Sequence, residues 1–166
     1  MRPRWIWLAA ALAYALFSAW YLNWRPPLDA SEIDAYPAHF EARAGAEQSV
    51  ARHAAVRAFL RADDGGAFLM LTLIRLHPGG IAVPGEAGTA PARAVLERYT
   101  GYFMPALLRK AGHPAFFARG AGGYVDNWGV EPDPGWSAAG IVRYRSRRDM
   151  MDLATNSDFD PAHVYK

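Results

Sequence analysis

The 166-residue chain contains no cysteine. That absence excludes disulfides, cysteine-based zinc sites, a lipoprotein anchor on a thiol and a thiol nucleophile. Charge is sparse too. Charged residues make up 20% against 52% hydrophobic ones, so the chain can build a core and does not have the composition of a disordered segment. The net charge of +2 arises from arginines interspersed among Asp and Glu, not from a basic stripe, and this speaks against a nucleic-acid partner. Several chemical motifs are missing as well. There is no GxGxxG, no GxxxxGK and no GxSxG, and His39, His53, His77, His113 and His163 show no HxH or HExxH spacing. Neither a metal nor a cofactor is expected.

What the chain does have is one long uncharged run, "WIWLAAALAYALFSAWYLNW", from Trp5 to Trp24. As a helix rising about 1.5 Å per residue it is roughly 30 Å long, the thickness of a bilayer's hydrocarbon core. Trp5 and Trp7 at one end and Trp20, Tyr21 and Trp24 at the other suit the headgroup level. Arg2 and Arg4 favour a cytoplasmic N-terminus. The run predicts a single-pass transmembrane anchor over residues 1–25 in the inner (cytoplasmic) membrane, with the C-terminal part periplasmic or exterior. Two readings compete with it: a signal peptide cleaved at the small-x-small pattern of Ala13–Tyr14–Ala15, and a buried core helix. Pro26 and Pro27 stop the helix.

Residues 26–64 read as a helical extension. Ser31 with Asp34 has capping-box spacing, and Pro37 either opens a second helix or breaks the first. His53, Val56, Phe59 and Leu60 then recur at helical spacing as a packing stripe until Asp63–Gly66 ends the helix. Residues 65–166 form the main domain. In "AFLMLTLIRL" (67–76), Phe68, Met70, Thr72 and Ile74 alternate with Leu69, Leu71, Leu73 and Arg75, so both faces of this strand are apolar and both need cover. Residues 77–88 read as a Gly/Pro-rich connection. A helix is expected from Thr89 or Pro91 to about Lys110, kinked at Pro105 and stopped by Gly112. Strands follow at 114–128, with a bulge or bend, and at 137–146. Ser146 and Asp149 start the last helix, which ends near Asn156, and its first residues Arg147 and Arg148 are expected as solvated surface, not a phosphate site. Arg143 differs, because an arginine on a covered strand needs an acidic partner or an anionic ligand.

From residue 67 the order strand, helix, strand, strand, helix fits an α+β fold with an antiparallel sheet in the ferredoxin-like split βαβ layout. On "RAFLRADDGGAFLMLTLIRL", "YTGYFMPALLRKAGHPAFF", "GIVRYRSRRDMMDLATNSDF" and the later "AHVYK", residues 56–166 resemble the dimeric α+β-barrel superfamily, relatives of EthD-like and antibiotic-monooxygenase-like domains. The resemblance implies a homodimer whose two sheets pack face to face as a dimeric α/β barrel, which would cover strand 67–76. It also implies a pocket between sheet and helices for a small, largely apolar molecule. Some members oxidise or isomerise such molecules without metal or flavin. The groups expected to line the pocket are Arg75, Tyr99, Tyr102, Asp126 and Arg143, with His113 and His163 as candidate proton shuttles. Besides the binding reading, a cofactor-independent monooxygenase or isomerase and an assembly partner at the membrane remain open. The family pattern closes with a fourth strand; here the sheet has three, another segment substitutes, or the chain is a shortened relative.

Overall fold

The computed structural model describes residues 4–41, 49–83, 85–123, 128 and 135–155. Asp126 and His163 lie outside the described residues. In chain order the elements are α1 (Arg4–Tyr21), α2 (Ala30–Glu41), α3 (Ser49–Arg61), β1 (Phe68–Ile74), β2 (Gly80–Ala82), β3 (Thr89–Pro91), α4 (Ala92–Arg109), β4 (His113–Arg119), β5 (Ala138–Tyr144) and α5 (Arg147–Thr155). They fall into two compact units. A helical unit takes the chain up to Phe68 together with Arg145–Thr155, and a sheet unit takes Leu69–Tyr144. In this division α5 joins the N-terminal helices.

In the helical unit, α1 forms where the uncharged run predicts a helix, and none of its residues is buried. The transmembrane expectation is corrected: among the described residues no helix is long and apolar enough to cross a membrane. With 18 residues α1 is about 27 Å long, short of a roughly 30 Å hydrocarbon core, and Arg4, Tyr14, Ser18 and four further Trp and Tyr side chains dilute its hydropathy. The first residue of the α2 cap is Asp29, not Ser31. Asp29 Oδ1 accepts the Glu32 N–H at 2.9 Å while Glu32 Oε2 accepts the Asp29 N–H at 3.1 Å, a reciprocal capping box. Pro37 neither opens nor breaks a helix; α2 runs through it. Leu28, Leu60 and Met151 form the core here, with Ile33, Tyr36, Val56 and Phe59 packed around them.

The arginine-rich stretch holds this unit together. Ser146 Oγ accepts the Asp149 N–H at 3.1 Å, so the predicted S-x-x-D cap is real. Arg145 forks onto both Asp149 oxygens at 2.7 Å. Arg147 and Arg148 are not solvated surface. Arg148 is buried, donates to the two Glu32 oxygens at 2.9 and 2.7 Å and reaches the Pro26 carbonyl at 3.0 Å. Arg147 lies over the rings of Phe59 and Phe68, at 5.2 and 5.8 Å from their centroids, with Asp63 and Asp64 at 3.4 and 3.3 Å. Tyr36 completes the set by donating to Asp152 at 2.7 Å.

In the sheet unit three strands stand in the order β1-β5-β4, and β2 pairs antiparallel with β3. That hairpin corrects the reading of 77–88 as a plain connection, and it takes Thr89–Pro91 from the expected helix, which begins at Ala92. β4 and β5 are antiparallel, with an irregularity between Pro114 and Phe116. α4 continues as helix past Pro105. Its stop is set by Ala111, whose φ of 54° is left-handed, while the Ala111 N–H donates to the Leu108 carbonyl and the Gly112 N–H to the Leu107 carbonyl, each at 3.0 Å. This is a Schellman ending with alanine where glycine is usual. Gly112 follows because a Cβ there would stand 2.3 Å from a Leu107 methyl and 3.0 Å from the Arg143 carbonyl.

Candidate functional site: an open apolar sheet face

The feature that needs explaining starts at Ser137. Its N–H donates to the Ile74 carbonyl at 2.7 Å, and its hydroxyl accepts the Leu76 N–H at 3.0 Å, which ties the end of β1 to the start of β5. The sheet order then places β1 directly beside β5. On the far side of β5, Phe117 stands opposite Gly140. On β1, Leu69, Leu71 and Leu73 alternate onto one face of the sheet. Leu69, Leu71, Leu73 and Phe117 are 63%, 62%, 45% and 58% exposed. A strand built to be covered on both faces has one face open.

Of the expected site residues that are described, His113 and Arg143 stand on the sheet, Tyr99 and Tyr102 on α4, and Arg75 just past β1. His113 stands opposite Arg143 in the β4–β5 register, so this pair shares a face. Arg143 donates to the Ala111 carbonyl at 3.0 Å, bringing a cation to the C-terminal turn of α4, where the helix dipole favours it. His113 Nδ1 lies 3.2 Å from the Pro114 carbonyl oxygen. Tyr144, next to Arg143 in the strand, points to the opposite face. It is buried, and burial pushes its phenol up to about 12, with the neighbouring Tyr99 phenol adding to the shift. Tyr99 is also raised by burial and stacks on Phe103, with ring centroids 5.7 Å apart. Tyr102 and Arg75 are exposed. Two groups absent from the expected set matter here: Phe117, exposed on β4, and Tyr144. Both could have been found by carrying strand alternation through 114–117 and 138–144 as it was carried through 67–76.

An open cleft of about 490 Å³ lies elsewhere in this unit, lined by His77, Thr89, Pro91 and Arg93 among others. Among the described residues, none of the expected site residues lines it. Among the described residues no group of three His, Asp or Glu side chains could hold a metal ion.

No protein-family model and no curated protein matches the chain. Two solved structures do. One is RPA0582, a protein of unknown function from Rhodopseudomonas palustris, with a TM-score of 0.53 and 16% identity over 74% of this chain and 83% of that one. The other is the methylated form of RPA0582, with a TM-score of 0.55 and 19% identity over 74% of this chain and 82% of that one. At such identity the likeness is one of fold, an α+β arrangement with an antiparallel sheet, and it carries no activity with it.

Proposed function

We propose that the sheet unit is a self-pairing domain of the ferredoxin-like kind, in which the sheets of two copies close on each other and each copy holds a small, largely apolar molecule. The exposed, uncharged row of Leu69, Leu71 and Leu73 on β1 carries this reading. A second copy offers the same uncharged row, so a twofold axis matches apolar to apolar without any further partner. Two sheets so paired stand about 10 Å apart with their side chains interdigitated. The strand order β1-β5-β4 supports the reading, because it is the order of a split βαβ unit with three strands. Tyr99 and Tyr144 are the polar handles for the bound molecule, neutral phenols that orient a carbonyl or hydroxyl without adding charge.

Native mass spectrometry of the full chain, released from mild detergent, tests both halves. The expected result is a dimer carrying extra mass. A dimer with nothing bound removes the ligand and leaves an assembly domain, and a monomer removes the pairing.

The His113–Arg143 juxtaposition favours one second reading, a cofactor-independent monooxygenase or isomerase. There the imidazole would move a proton beside a cation that holds the substrate. In that case His113→Ala abolishes turnover while far-UV circular dichroism and the dimer mass stay unchanged.

A further inference from the structure

The helical unit presents a second unpaired surface, and a different partner fits it. α1 is tied to the rest of the unit at its C-terminal end. Arg145 donates to the Trp20 carbonyl at 2.9 Å, and the Asn23 amide donates to the Gly65 carbonyl at 2.7 Å. Along its length no residue is buried. Leu8, Leu12, Trp20, Phe17, Tyr14 and Trp7, all exposed, follow one another around about 260° of the helical wheel at about 100° per residue. A second helix covers a stripe of only about 100°. A bilayer face, being fluid, takes up a wider arc than a single helix does.

The sequence around the helix narrows the medium further. No charged residue lies between Trp5 and Trp24, the flanks carry Arg4 and Arg25, and no acidic residue occurs before Asp29. Indole and phenol rings concentrate at both ends, where an apolar body with a polar edge meets headgroups. We propose that α1 is a lipid-binding element, embedded along its length in the face of a bilayer containing anionic lipid, and that Arg145 and Asn23 moor the helical unit to it. Embedding does not require crossing, and α1 is too short and too dilute in hydropathy for that.

The test is flotation of the full chain, diluted from detergent, with vesicles of phosphatidylcholine alone or mixed with phosphatidylglycerol. Tryptophan quenching by brominated lipid is read in parallel. The protein is expected to float with both, several-fold more with the mixed vesicles. Leu8→Ser combined with Leu12→Ser is expected to lower the bound fraction about tenfold or more and to abolish quenching, with the thermal melt unchanged because neither side chain is buried. Failure to float with either vesicle overturns the proposal, as does flotation that the double variant leaves intact. A lipid-free oligomer that the double variant dissolves assigns the helix to a second copy and overturns it equally.

Discussion

In the part of the helical unit built from α2, α3 and α5, the core side chains are inside and the arginines around them are ion-paired. Leu60 and Met151 are buried, Arg148 is locked to Glu32, and Arg145 is locked to Asp149. In the sheet unit the helix side is filled by residues such as Leu107 and Val95, while Leu69, Leu71 and Leu73 stay exposed on β1. The two regions differ in what completes them. The body of the helical unit closes on itself through contacts between residues far apart in the chain. On the proposed reading, the sheet unit closes only when a second copy is added. Buried hydrogen-bonded charge is a strong reporter of an internal contact, because leaving it unpaired is costly. An exposed uncharged row is a reporter of a missing one.

The sharpest way to break this contrast is to place charge on each side of it. Leu71→Arg puts an unpaired cation in the middle of the open row. It is expected to weaken the dimer by at least about 100-fold, measured by sedimentation equilibrium, while the isolated fold keeps its spectrum because Leu71 is already exposed. In the helical unit the same logic runs through the core. Leu60→Ala removes a fully buried side chain and is expected to cost about 3 kcal/mol in chemical unfolding, with no effect on dimer mass.

Arg148→Ala comes next, at about 2 kcal/mol, less than for a fully buried pair because Glu32 keeps partial solvent contact. This pair also has a pH signature. The hydrogen bonds from Arg148 hold the Glu32 carboxyl below its ordinary value. A depressed carboxylate stabilises the fold above its unfolded value and loses that stabilisation as pH falls through the folded one. The gap between wild type and Arg148→Ala is therefore expected to narrow as pH drops below about 4. The smallest effect has the opposite sign. Ala111→Gly relieves a left-handed backbone and is expected to raise stability by about 1 kcal/mol, read as a shift in unfolding midpoint.

Much of this was legible in the sequence where the signal is local. The alternation of 67–76 gives β1 and both its apolar faces, and Ser146–Asp149 gives the start of α5. The misreadings have a common physical cause. Arg148 looks solvated because its partner Glu32 lies 116 positions away, and nothing in "SRRDMM" announces a carboxylate from α2. Ser31 was the nearer capping residue in type, but Asp29 stands three positions before Glu32 and so can exchange hydrogen bonds with it. β2 and β3 are three residues each, too short for any periodicity to show. Ala111 took the left-handed position because Gly112 was needed one step later, against Leu107. For the candidate site, the residue types were legible but their convergence was not. Adjacent strand positions such as Arg143 and Tyr144 face opposite sides of the sheet, which residue type alone does not reveal.

Because the chain has no thiol, a single introduced cysteine reports on the open face without background. Leu71→Cys, oxidised with copper phenanthroline at micromolar concentration, tests the central claim most directly. The account predicts a covalent dimer as the main product, while Arg93→Cys, exposed at the start of α4, stays monomeric. If Leu71→Cys remains uncrosslinked while a maleimide labels it freely, the face is open in solution and the pairing of sheets is wrong.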